Sequence, residues 1–87
     1  MDFSRALEHL KEGGRVARAG WNGKGMWLYL VDGSTFPANR APLTNFFEPG
    51  TSITYCPHID MRTADGKFVP WLASQTDILA DDWVRVE

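Results

Sequence analysis

Apolar positions recur along this chain with two different periods. Phe3, Ala6, Leu7 and Leu10 fall at i, i+3, i+4 and i+7, one face of an α-helix over residues 2–12. Asp2 precedes the first turn as a cap, and Gly13-Gly14 follow as a stop. The period then shortens to two. Arg15-Val16-Ala17-Arg18-Ala19 alternates as a short strand, and Gly20-Trp21-Asn22-Gly23 has turn chemistry. Residues 25–31 form the next strand, with Met26, Leu28 and Leu30 on one face and Trp27, Tyr29 and Val31 on the other. Two apolar faces predict a central strand covered on both sides.

Residues 32–56 carry Gly33, Pro37, Pro42, Pro49 and Gly50, which interrupt any long element. The stretch reads as an ordered binding or interface loop containing Phe36, Phe46 and Phe47, with one short helix near residues 40–47. Residues 57–63 and 67–71 then form a β-hairpin around Asp65-Gly66. A two-residue loop there pairs Ala64 with Lys67, Arg62 with Val69 and Asp60 with Trp71. That register puts Phe68 beside Ile59, Met61 and Thr63, and puts Val69 and Trp71 beside His58, Asp60 and Arg62. Ser74-Gln75-Thr76-Asp77 opens a short helix with the spacing of a capping box, and Trp83–Val86 is a last strand. The predicted class is α+β: an antiparallel β-sheet, one N-terminal helix and a short C-terminal helical turn.

With 87 residues the chain makes one domain, residues 1–87, with a thin core. Four Trp, five Phe and two Tyr exceed what such a core can hide, which points to an aromatic ligand site or a subunit interface. Self-association follows from the same surplus. Nine basic and eleven acidic residues leave a net charge of −2 and no basic stripe, which argues against long DNA or RNA as a partner. The single Cys56 precludes an internal disulfide. No apolar run is long enough to span a membrane, and Met1-Asp2-Phe3-Ser4 lacks a secretory pattern, so the expected location is the cytoplasm.

The chemistry is sparse. Two His and one Cys without ligand spacing argue against a metal site. Cys56-Pro57-His58 lacks an orienting third group for nucleophilic catalysis. Asp65 is accounted for by the turn, Asp77 by the cap and Asp81-Asp82 by a solvated helix end. No phosphate loop or dinucleotide fingerprint occurs, so the residues suggest neither enzyme nor cofactor.

A binding constellation remains. Trp21 sits at a turn where a large ring has little core to enter. Asn22 and the Gly23 and Gly25 amides offer hydrogen bonds, and Lys24 and Arg18 offer positive charge. Trp71 lies at a strand end beside Ser74, Gln75 and Thr76, near a helix N-terminus that attracts anions. Stacking surfaces with amide and hydroxyl donors suit a nucleobase and a ribose. The competing reading makes Trp21 and Trp71 plugs for the ends of the core or for a dimer interface.

Two segments carry a family resemblance. Ala17-Arg18-Ala19-Gly20-Trp21-Asn22-Gly23-Lys24-Gly25-Met26-Trp27 and Pro70-Trp71-Leu72-Ala73-Ser74-Gln75-Thr76-Asp77-Ile78-Leu79-Ala80-Asp81-Asp82-Trp83 resemble the signatures of a small phage and bacterial family that includes the second kind of Thoeris anti-defence protein. Asp2-Phe3-Ser4 with Ala6-Leu7, and Met61-Arg62-Thr63-Ala64-Asp65-Gly66, are similar too, so the likeness covers nearly the whole chain. The resemblance implies a phage sponge. Such a protein sequesters a cyclic ADP-ribose-type signal without cleaving it, as a homotetramer with pockets between subunits, and some relatives also hold cyclic oligonucleotides at separate sites. It carries ligand contact to Trp21, Asn22 and Lys24 in the first motif, and to Trp71, Ser74, Gln75 and Asp77 in the second. Asn39 and Arg40 are candidates on chemistry alone, since an Arg suits a pyrophosphate. The alternatives are an enzyme that cleaves such a signal and a small homo-oligomeric protein-interaction domain with no nucleotide ligand.

Overall fold

A computed structural model describes residues 1–21 and 25–87. Helix α1 spans Phe3–Lys11, and the Asp2 carboxylate accepts the Arg5 amide at 3.0 Å to cap it. Its apolar face delivers Ala6 and Leu10 to full burial. Gly13 ends it at φ +90°. The Gly13 amide donates to the Leu10 carbonyl and the Gly14 amide to that of His9, a Schellman closure that the Gly-Gly pair makes possible. Gly14 also lies against the His9 ring, where a Cβ would collide.

Strands β1 (Arg15–Arg18), β2 (Trp27–Val31), β5 (His58–Arg62), β6 (Phe68–Pro70) and β7 (Trp83–Val86) build one antiparallel sheet in the order β6-β5-β2-β1-β7. Strand β2 is central, as its pattern predicts. Helix α1 covers one face, and Val16, Leu28 and Trp83 join Ala6 and Leu10 in the core. Among the described residues no second layer covers the other face, contrary to the expectation from the sequence. Trp27, Tyr29 and Phe68 shield one another there, with ring centroids 5.5–6.1 Å apart, and Phe68 stays 56% exposed. The architecture is α+β, with a short C-terminal helix α2 (Gln75–Ile78) capped by Ser74.

Two expectations need correction. The β5–β6 hairpin pairs Arg62 with Phe68, Met61 with Val69 and Asp60 with Pro70, one residue away from the predicted register. The loop has three residues. The Gly66 amide donates to the Thr63 carbonyl and the Thr63 amide to that of Lys67, with Gly66 at φ +84°. Gly66 is therefore a bulge position rather than the second residue of a tight turn. A one-residue slip exchanges the faces of β6. Phe68 joins Trp27 and Tyr29, while Trp71 packs on the core from the α1 side, 5.9 Å from Phe3.

The second correction concerns residues 32–56. They are not one long loop but a second antiparallel ribbon, β3 (Ser34–Pro37) with β4 (Ser52–Tyr55), closed by a 3-10 turn at Leu43–Asn45. Val31 lies opposite His58 and Ser34 opposite Tyr55, so the β2–β5 register continues unchanged into β3–β4. The two sheets are one long hairpin, interrupted where Asp32-Gly33 meet Cys56-Pro57. Pro57 has no N–H for the ladder, and a Cβ on Gly33 would stand 2.7 Å from the Tyr55 carbonyl oxygen. The ribbon projects from the sheet as an arm, and the molecule measures 46 × 26 × 25 Å.

Candidate functional site

The two sequence motifs, some fifty residues apart, meet at one end of the sheet. Strand β1 carries Arg18 out to Gly20 and Trp21, while the segment from Ser74 through α2 to Asp82 returns the chain into β7, which pairs with β1. Arg18 joins them. Its Nη1 lies 2.8 Å from Asp77 Oδ1 and its Nε 2.8 Å from Asp82 Oδ1. The indole N–H of Trp21 donates to Asp77 Oδ1 at 3.4 Å, and that of Trp83 donates to the Asp77 carbonyl at 2.8 Å. The Ser74 hydroxyl accepts the Asp77 amide at 3.1 Å, one half of the predicted capping box. The Asp77 carboxylate turns instead to Arg18 and Trp21.

The charges explain the local acidities. Burial pushes the Asp77 carboxyl up, but the Arg18, Trp21 and Ser74 hydrogen bonds together outweigh it and hold it below the ordinary value. Arg18 holds the Asp82 carboxyl down, helped by the Gly20 amide, and the two carboxylates, Asp82 first, raise Arg18. One guanidinium between two carboxylates leaves the trio with a net charge of −1. Arg18 therefore directs its charge inward, so the positive charge expected of it is already matched.

Trp21 and Trp71 do not stand free of the core. Trp21 packs edge-on against the buried Trp83 with centroids 5.5 Å apart, and Trp71 lies 6.1 Å from the same ring. Both are half-buried, so each keeps part of its surface toward solvent. Ser74 and Gln75 are exposed beside them. Asn22, Gly23 and Lys24 lie outside the described residues.

Asn39 and Arg40 are elsewhere. With Phe36, Pro42, Leu43 and Tyr55 they line a hollow of about 400 Å³ on the arm, a volume suited to a small molecule. Phe36 and Tyr55, both in its lining, meet edge-on at 5.2 Å. The ten candidate residues thus divide between the two-motif junction, the arm and the residues not described.

Two residues were missed by sequence reasoning. Asp82 is not a solvated helix end. Its carboxylate also accepts the Gly20 amide at 2.9 Å, and its carbonyl accepts that of Ala19 at 3.0 Å. Arg62 donates to the Gly25 carbonyl at 2.6 Å. Their partners lie 62 and 37 residues away in sequence, so no local pattern announces them. Nδ1 of His58 sits 3.1 Å from the Cys56 carbonyl oxygen, and Nε2 sits 3.5 Å from Asp60.

A family model described as a Thoeris anti-defense 2-like domain matches residues 1–86. The chain is similar to a protein of Bacillus phage SP01 named Thoeris anti-defense 2, at 41% identity over 83 residues, covering 95% of this chain and 91% of that relative. The motifs that meet at Arg18, Asp77 and Asp82 thus sit within a match spanning nearly the whole chain, and the protein belongs to the Thoeris anti-defense 2-like family.

Proposed function

We propose that this protein is a phage anti-defence sponge: it binds a cyclic-nucleotide immune signal of the glycocyclic ADP-ribose type, holds it uncleaved, and so blocks Thoeris-type bacterial immunity. Family membership and the name of the phage relative support the anti-Thoeris role. The observation that carries the binding reading is the convergence of both motifs on Asp77, with half-buried Trp21 and Trp71 flanking the exposed Ser74 and Gln75. Indole faces stack on bases, and hydroxyl and amide groups bond ribose and phosphate. Lys24 supplies the cation that Arg18 does not. The family is named for an anti-defence action rather than a reaction, in keeping with a protein that binds without catalysis.

The pocket is completed between subunits of a homotetramer acting in the host cytoplasm. Exposed apolar side chains support assembly: Leu72 is 92% exposed, Leu79 76% and Phe46 74%. The arm hollow, with Arg40 and two aromatic rings, suits a second ligand class such as a cyclic oligonucleotide. These same exposed side chains favour the rival reading, a protein-interaction domain without nucleotide ligand.

Calorimetric titration with glycocyclic ADP-ribose, and separately with cyclic di- and trinucleotides, decides between them. Tight binding with chemically intact ligand recovered after denaturation is expected. Absence of heat with every ligand would leave the interaction domain, and recovery of altered ligand would indicate an enzyme. Within the site, Gln75→Ala is the preferred probe. Trp71 packs on Phe3 and Trp83, so truncating it disturbs the core as well.

A further inference from the structure

The segment between β1 and β2 is held at both ends by residues of opposite charge from distant parts of the chain. At its start, Asp82 receives the Gly20 amide at 2.9 Å through Oδ2, the Ala19 amide at 3.0 Å through its carbonyl, and Arg18 Nε at 2.8 Å through Oδ1. At its end, Arg62 on β5 donates through Nη1 to the Gly25 carbonyl at 2.6 Å. Glycine leaves room for both side-chain tips. A Cβ on Gly20 would stand 2.9 Å from Asp82 Oδ2, and one on Gly25 would stand 2.7 Å from Arg62 Nη1. Gly25 also has φ +79°, a conformation costly for other residues. Helix packing does not require such an arrangement, because α1 covers the sheet elsewhere. A helix cap does not require it either, because Ser74 caps α2.

We propose that Asp82 and Arg62 are positioning residues that fix the two ends of the ligand-contacting segment carrying Trp21, Asn22 and Lys24. This rests on the sponge reading given above. Asp82 sets where the segment leaves β1, and Trp21 follows at once, its amide on the Arg18 carbonyl at 3.2 Å and its indole on Asp77. Arg62 sets where it enters β2. Neither residue touches the ligand. Each holds the residue it anchors, Gly20 beside Trp21 at one end and Gly25 at the other, before ligand arrives, and preorganisation raises affinity.

The test compares Asp82→Ala, Asp82→Asn, Arg62→Ala and Arg62→Lys with the parent protein in titrations with glycocyclic ADP-ribose, across a range of salt. Each alanine variant is expected to bind about tenfold more weakly, mainly through faster release. Asp82→Asn keeps an acceptor for the Gly20 amide and should recover most of the loss, as should Arg62→Lys. The dependence of affinity on salt should not change, because no phosphate contact is removed; a flattened salt response in Arg62→Ala would assign Arg62 to the ligand instead and overturn its positioning role. Parent-like affinity in both folded alanine variants overturns the proposal, as does failure of both conservative variants to restore binding. A second readout needs no ligand. The Trp21 indole N–H resonance, assigned through Trp21→Phe, should shift in Asp82→Ala and return in Asp82→Asn. An unmoved resonance overturns the anchoring role. If the parent protein binds no ligand, the sponge reading fails while this resonance still decides whether Asp82 sets Trp21.

Discussion

Arg18 shows how a single residue's role depends on partners that its neighbours in sequence do not reveal. Read locally, it is a cation next to a turn and thus a candidate for phosphate. In the structure it closes an ion-paired trio with Asp77 and Asp82, 59 and 64 residues away. This predicts a specific response to acid. Both carboxyl groups are held below their ordinary value of 3.8. A carboxyl lowered by folding contributes stability above its unfolded pKa, and that contribution disappears as pH falls through the lowered folded value. The trio's share is therefore constant from about pH 8 to about pH 5 and is lost only below about pH 4. In Arg18→Met the first of the lowering causes is gone for both carboxyl groups, and each moves back toward its ordinary value. That variant should be less stable at neutral pH and lose less on acidification, so its acid limb should be shallower, measured by melting across pH. Coincident acid limbs would show that the trio does not govern acid stability. Trp21 tells the same story: the turn predicted over Gly20-Trp21-Asn22-Gly23 lies partly outside the described residues, and that its ring reaches Trp83 was not legible, because the buried partner belongs to the last strand.

At the scale of elements, the sequence reveals what is local and periodic. Helix α1 with its cap and glycine stop, the central β2, the Ser74 cap and the final strand all follow from spacing. The β5–β6 hairpin was legible in its existence but not in its register, because Asp-Gly serves both a two-residue turn and a three-residue loop with a bulge. Gly66 at φ +84° settles which occurs. Gly66→Ala places a Cβ in that left-handed conformation and should destabilise the protein by about 1–2 kcal/mol, checked by chemical denaturation. An unchanged midpoint would show that the left-handed conformation at residue 66 is not required for the hairpin. The β3–β4 ribbon escaped notice for a different reason. Its strands are four residues each, Pro37 ends one of them, and the tip between them is long. What holds it is continuity with β2 and β5, a relation between segments rather than a property of either.

The whole molecule is far from a sphere. Its radius of gyration is 15.9 Å, against about 12 Å expected for a compact chain of this length. Among the described residues the fully buried core cluster holds five side chains, and the arm exposes Phe46, Phe47 and Tyr55. Such a shape exposes apolar surface that an assembly would cover. Light scattering should therefore give a mass of several 9.8 kDa protomers, and Phe46→Ser with Phe47→Ser should lower it. A monomeric parent protein would exclude the inter-subunit pocket. The unbroken register between sheet and arm has a consequence for how this chain can vary. Inserting or deleting one residue at the Gly33–Pro57 joint would turn every side chain of one arm strand to its opposite face, separating Phe36 from Tyr55. Changes at the tip, beyond the paired residues, carry no such penalty. The arm can therefore lengthen or shorten at its far end while its root stays fixed, and its reach is the dimension of this protein most open to evolutionary drift.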